Sequence, residues 1–464
     1  MFKFLKLENK KLVYLVFLLG IIISINYAFF NLNKFDKNED TNKHLMIRGD
    51  LSLIWYEAES FKKDLLKNKT IFGNGDEYTR TFLPSKIVAF YSILTNQDLY
   101  DDYENRVIKI KGKRLYLLFQ IFFYYLSLLF LYKKLKSFYE NKNLSFYIVS
   151  YLALDPNIIQ WHGTFWTESI FFSLQLLLIG LIIKSNKSNL FCLYLGSFLG
   201  LIFLQKTVGV LFIFFLVIYI FCTEEKNNKL KSFNIILGFS IILLILGYDN
   251  YKKTGIFYVI GISNKDAHYS YLVPQIFEKN DQIKSMIDLK NSEKKWKIKN
   301  NYSKDNFYTR YKLKEYQQKK AIEIMLNNKI TTTQIYLKKT IIHSVLNPLQ
   351  TFYWHKYNQI KYSKKEFHFS DESKKYFIYK IFYSTLFYMV IFMGILEIIK
   401  NKEKFKFHLL ISFLIIYLMF MLGWMGNSRY FMPSVIFLSI FFGNGLNYFM
   451  NLKSKKNSTN YLEN

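Results

Sequence analysis

Across 464 residues, half of the side chains are apolar and 19% are aromatic, yet the formal net charge is +29. The lysines are not spread over a polar face but fall in short clusters between long apolar runs, which argues against a nucleic-acid binder and for a multi-pass membrane protein drawn to anionic headgroups and phosphates. Two cysteines, Cys192 and Cys222, both within apolar runs, exclude a disulfide framework and a zinc spacing.

A hydrocarbon core about 30 Å thick takes roughly 20 apolar residues per helix. The first such run, 12–30, follows the basic start MFKFLKLENKK, and no small-x-small cleavage site ends it, so it reads as a retained helix. A long polar segment, 31–114, comes next. Within it, 50–66 has apolar residues at 51, 54, 58, 61 and 65 with charge opposite, the spacing of a helix lying along a membrane surface. Residues 86–94 repeat the idea after Pro84. Apolar runs then follow at 115–131, 144–161, 168–183, 190–204, 208–222 and 233–248. Gln205-Lys206-Thr207, between the fourth and fifth of these, predicts a tight hairpin, because a lysine at mid-membrane is expensive. A second long segment, 249–376, reads as two helices, 311–326 and 332–346, parted by Asn327-Asn328-Lys329, with the lysine-rich 280–305 as a solvated excursion. Runs at 377–399, 407–423 and 431–450 close the chain, and there is no internal repeat.

The short loops set the orientation. With the N-terminus inside, loops 133–143, 184–189, 223–232 and 401–406 and the tail after 450 are all inner, and all carry lysine. Both long segments are then extracytoplasmic. The expectation is an all-α membrane protein of about ten transmembrane helices. It divides into a first module over 1–248, a helical cap over 249–376, and closing helices with a basic cytoplasmic tail over 377–464. The tryptophans at 55, 161, 166, 296, 354 and 424 all fall outside or at the outer boundary, as an aromatic belt or as flat rings lining a cleft for sugars or isoprenoid chains.

Polar groups at the outer helix ends carry the chemistry, and they form four clusters. The first is Arg48-Gly49-Asp50 with Tyr56 and Ala58. The second runs from Phe72 through Asp76, Glu77, Tyr78 and Arg80 to Pro84. The third spans Asp155-Pro156-Asn157 to Trp161, His162 and Glu168, where Pro156 breaks a helix and Glu168 begins the next. The fourth is 423–430 with Asn427, Arg429 and Tyr430, before Pro433. Lys206 joins them if the hairpin forms. Each has a plain structural reading: Asp50 as an N-cap, Glu168 as a helix-start acid, Arg429 reaching for headgroups, and His162 without a partner spacing for a metal. The set, two or more carboxylates and several cations on one face, is harder to reduce to structure.

On these residues the chain resembles membrane-embedded glycosyltransferases of the GT-C fold, in the bacterial branch related to protein mannosyltransferases and the lipid A aminoarabinose transferase. The resemblance rests on Gly49-Asp50 with Tyr56 and Ala58; on Tyr78, Arg80 and Pro84; on Pro156, Gly163, Thr167 and Glu168; on Leu204, Lys206 and Thr207; on Asn250, Gly255 and Phe257; and on Asn427, Ser428, Arg429, Tyr430 and Pro433. Lys206 and Glu168 stand where that family often has arginine and aspartate.

The resemblance implies inverting transfer of a sugar from a polyprenyl-phosphate donor to a lipid, glycan or protein acceptor on the outer face of a bacterial inner membrane. Asp50 would be the general base and Glu168 its companion. Lys206, Arg429, Arg48 and Arg80 would hold the donor phosphate. Trp55, Tyr56, Tyr78, His162 and Tyr430 would line the groove, with Trp55 and Tyr56 anchoring at the membrane surface. The resemblance leaves metal need open: Asp50 and Glu168 are suited to share Mg²⁺ or Mn²⁺, and basic residues alone are the alternative. Partners are membrane lipids, donor and acceptor, with no nucleic acid. An O-antigen ligase or polymerase would instead centre on arginines and a histidine in a late loop. A lipid or solute transporter would show repeat symmetry and mid-membrane polar residues.

Overall fold

The structure, a computed structural model, describes residues 9–36, 50–68, 82–102, 107–108, 113–165, 167–183, 187–224, 226–261, 267–303, 306–346, 371–401, 404–423 and 428–460. Among them every apolar run is helical. The first module holds α1 (Asn9–Asp36), α2 (Asp50–Asn68), α3 (Phe82–Thr95), α4 (Lys113–Phe138), α5 (Lys142–Leu154), α6 (Pro156–His162), α7 (Glu168–Ile182), α8 (Asn189–Gln205), α9 (Phe212–Thr223) and α10 (Asn228–Thr254). A short hairpin, β1 (Tyr100–Asp102) against β2 (Val107–Ile108), is a small departure from the all-α expectation. The later chain adds α11 (Val273–Lys279), α12 (Ile283–Lys299), α13 (Phe307–Asn327), α14 (Lys329–Leu346), α15 (Asp371–Asn401), α16 (Phe405–Gly423) and α17 (Ser428–Asn460).

Spans in α1, α4, α10, α15 and α17 are long and apolar enough to cross a membrane, and α7, α8, α9 and α16 supply shorter apolar stretches. Leu15, Leu18, Phe233, Leu244, Phe382 and Phe392 are each more than half exposed. Apolar surface of that extent is covered by lipid in an integral membrane protein.

Side-chain contacts fix which helices run together. α1 and α4 are antiparallel, with Ser24 on Tyr125 and Phe29 facing Arg114. α4 and α7 are parallel: Gln120 reaches Thr164, just before α7, and Phe130 lies against Gly180. α5 and α17 are antiparallel, Asn141 meeting Asn447 and Tyr151 meeting Phe442. α8 and α10 are parallel, since Leu193 faces Gly238 and Gly200 faces Ile242. α9 runs against α16, with Val208 at Tyr417 and Cys222 at Lys406. α15 and α17 are parallel through Phe387 on Phe442 and Val390 on Gly445.

Directions therefore alternate along the chain, and helix ends fall into two groups. At one end are the starts of α4, α7 and α17 and the ends of α1, α8, α10 and α16. At the other are the lysine-bearing connections, where Glu224 accepts from Lys187 at 3.2 Å and Lys231 at 2.6 Å. The 190–222 region is two helices rather than one. Lys206 is extended (φ −155, ψ 119) between α8 and a 3-10 turn, Thr207–Leu211, so the hairpin reading holds.

One local expectation is corrected and two are refined. α2 is packed on more than the predicted apolar stripe, since Ile54, Trp55, Glu57, Ala58, Glu59 and Phe61 are all buried. α3 buries Ser85, Lys86, Val88 and Ala89 and exposes Phe90 and Leu94, and the Lys86 ammonium sits 2.9 Å from the centroid of the Phe61 ring. The lysine-rich 280–305 is not an excursion but contains α12, whose Trp296 stacks on Tyr316 of α13 at 5.5 Å.

The segment between α10 and α15 has small cores of its own. Leu272, Ile276 and Ile335 form one, and Val273, Phe277 and Ala321 another. Asn280 closes the α13–α14 turn by donating to Asn328 Oδ1 and accepting from Thr331, each at 2.9 Å. α14 then packs along α16.

Candidate active site

The chain between α5 and α7 builds the end of the bundle where polar side chains gather. Pro156 cannot continue α5 but suits the first turn of a new helix. Asp155 caps that helix, its carboxylate accepting from the Asn157 amide and side chain, both at 2.9 Å. α6 stops at Gly163, and the turn that follows is held from within. Thr164 Oγ1 donates to Trp161 O at 2.9 Å, Gln120 donates to Thr164 O at 3.0 Å, and Gln205 donates to Thr167 O at 3.1 Å. All of these side chains are buried. The turn is thus tied to α4 on one side and α8 on the other.

Glu168 is the product of this framing. It opens α7, where the helix dipole favours a negative charge, and it has no exposed surface. Lys206 Nζ lies 3.0 Å from Glu168 Oε1, and Thr167 Oγ1 lies 3.4 Å from Oε2. Lys206 reaches it because α8 ends there. Its backbone is extended, and its ammonium also stands 5.5 Å from the centroid of the Phe171 ring. An acid and a cation singled out separately in the sequence are therefore brought together from 38 positions apart. Of the two, only the ammonium keeps some exposed surface, so the cation is the partner that a second anion can reach.

Of the remaining site residues, Trp55 is in the core and not at a membrane surface. Its ring meets Tyr116 and Phe165 edge-on at 5.7 and 5.4 Å. Phe165 is three residues before Glu168, so this contact brings α2, which starts at Asp50, to the same end of the bundle as the Glu168–Lys206 pair. Tyr56, beside Trp55, is partly exposed. His162 is buried, with Nδ1 at 2.8 Å from Ser169 Oγ and its ring 4.5 Å from that of Tyr124. It packs the α4–α6–α7 junction. Arg429 and Tyr430 lie in the first turn of α17, again at this end. The side chains of Asp50, Arg429 and Tyr430 lie outside the described residues, as do Arg48, Tyr78 and Arg80 with Asp76 and Glu77.

The Asn250, Gly255 and Phe257 motif is a helix stop. Gly255 takes the left-handed conformation (φ 71) that ends α10. Asn250 then holds the returning chain by donating to Tyr258 O at 2.7 Å, and Phe257 folds over Gly247. Sequence reasoning passed over Gln120 and Gln205, whose amides hold the Glu168 turn, and Glu57 and Glu59, which are buried in α2. The signal for Gln205 was present, since it adjoins Lys206 at the predicted break. Among the described residues no three of His, Cys, Asp and Glu come together as a metal site.

No family model and no curated protein matches this chain. Solved structures do. The apo crystal structure of the Archaeoglobus fulgidus oligosaccharyltransferase is 10% identical, with a TM-score of 0.51 over 97% of this chain and 52% of that one. The oligosaccharyltransferase AglB of the same organism, solved with an inhibitory peptide and a dolichol-phosphate, is 12% identical with a TM-score of 0.50 over the same shares. This chain spans about half the length of the structures it matches. The fold is the all-helical membrane GT-C fold.

Proposed function

We propose that this protein is a membrane glycosyltransferase that moves a sugar from a polyprenyl-phosphate-linked donor to a lipid, glycan or protein acceptor at the extracytoplasmic face. The observation that carries the reading is the seating of Trp55 against Phe165, which brings the start of α2 to the Glu168–Lys206 end. A GT-C fold supports it, and so does the dolichol-phosphate in a fold neighbour, itself a polyprenyl phosphate.

In this reading Asp50 takes the proton of the acceptor hydroxyl as its oxygen attacks the anomeric carbon. The bond from that carbon to the phosphate oxygen breaks on the opposite face, which inverts the centre. Lys206 and Arg429 neutralise the departing phosphate, where a cation beside developing charge is most effective. Arg48 and Arg80 act as supporting cations on the donor. Glu168 holds Lys206 in place from 3.0 Å and orients the acceptor or the sugar. The lysine-bearing end faces the cytoplasm, as the positive-inside rule requires.

The test is transfer in vitro from labelled polyprenyl-phosphate sugars, comparing wild type with Asp50→Asn. Loss of a general base lowers turnover by about 10²- to 10⁴-fold. Full activity in the Asn variant removes Asp50 from the role.

A further inference from the structure

Residues 267–346 contain sixteen Lys and Arg against seven Asp and Glu, and much of this surplus is concentrated on α12 (Ile283–Lys299). The inner face of that helix is occupied: Trp296 stacks on Tyr316, Ser292 Oγ meets Tyr316 Oη at 2.6 Å, and Glu293 accepts from Tyr269. Its outer face is different in kind. Ile287 and Ile298 are 52% and 78% exposed. Eleven positions apart, they stand about three helical turns from one another on the same side. Exposed Lys284, Lys290, Lys294 and Lys295 surround them, and none has an ion-pair partner among the described residues.

Lysines alone would make a solvated face. Isoleucines with most of their surface in water, set in a ring of lysines, are the composition of a helix that lies in a bilayer interface, apolar teeth down and ammonium groups at the phosphates. A hydrated polyanion would satisfy the lysines and leave the isoleucines unused. We infer that this face of α12 docks on an anionic phospholipid surface, holding the segment between α10 and α15 against a membrane. The inference is independent of the transfer reaction.

The experiment uses the full-length protein in nanodiscs, carrying Cys222→Ser and Ile298→Cys, with an environment-sensitive fluorophore on the new thiol. Cys192 is fully buried and stays unlabelled. Emission is expected to be blue-shifted in discs containing phosphatidylglycerol relative to pure phosphatidylcholine. The shift is lost when Lys284, Lys290, Lys294 and Lys295 are changed to Gln. High salt removes the same attraction without any substitution, because it screens exposed charges. Equal emission in the two discs, or a shift indifferent to salt, overturns the inference. So does a blue shift in neutral discs on adding soluble polyphosphate, which would make the occupant a free polyanion.

Discussion

A carboxylate without exposed surface, such as Glu168, is tolerated only while cations or donors hold it. Lys206→Met removes the ammonium 3.0 Å away and leaves the acid in place. Breaking a buried pair from one side costs about 3 kcal/mol or more, so the variant should unfold at clearly lower temperature in detergent. Adding Glu168→Gln should restore most of that stability, because both charges are then gone. Transfer should remain low in the single and the double variant, since neither has the cation for the phosphate. A double variant as unstable as Lys206→Met would mean the pair is not the source of the loss. Both residues were legible in the sequence, because a helix-start acid and a lysine between two apolar runs are conspicuous. Trp55 was misread for a physical reason: tryptophan suits both an interface and a core, and only the rings of Tyr116 and Phe165, from distant parts of the chain, decide between them.

At the scale of elements, close helix pairs are set by glycines. Gly196 abuts Ile235 O and Gly238 abuts Leu193 O, so α8 and α10 touch backbone to backbone. Gly394 and Gly445 do the same for α15 and α17 against Phe441 O and Val390 O. Small residues at such crossings let helices approach where no hydrophobic force drives them together. Gly238→Ala and Gly445→Ala should each cost roughly 1–3 kcal/mol through overpacking, read as a lower thermal midpoint. Gly255→Ala should be harmful for another reason: there is open space around it, but its φ of 71 strains any residue with a Cβ. Ala at 238 without a shift in midpoint would refute the close approach. Helix existence was readable from hydropathy, but these pairings were not, because a glycine in an apolar run gives no hint of what lies opposite. The same limit hid α12, where lysines mask a helix whose inner face is only half apolar.

For the molecule as a whole, the bundle and the segment between α10 and α15 respond differently to acid. The bundle holds its lysine-bearing end through Glu224, whose carboxyl burial would push up but Lys231 and Lys187 keep low, whereas that segment is joined through both a carboxylate and a histidine. Burial alone would push the Glu293 carboxyl up, but hydrogen bonds from Lys297, Gln317 and Tyr269 outweigh it and hold the group below its usual 4.5. Burial holds His268 below its usual 6.5, with Nε2 at 3.1 Å from Tyr336 Oη. Both folded values lie beneath the unfolded ones, so in each case the unfolded chain binds the proton first and stability is lost as the pH is lowered. The contribution of His268 is complete above about pH 6.5 and declines below it; that of Glu293 is complete above about pH 4.5 and is lost as pH falls through the folded value. Hydrogen exchange corrected for its intrinsic pH dependence should therefore show α11–α14 losing protection in two steps on acidification, while α8 and α10 show none of the upper step and share only the lower one, where Glu224 is protonated. His268→Gln should abolish the upper step and leave the lower one. Loss of protection in α8 and α10 at the upper step would mean that the bundle and the segment between α10 and α15 open as one unit rather than separately.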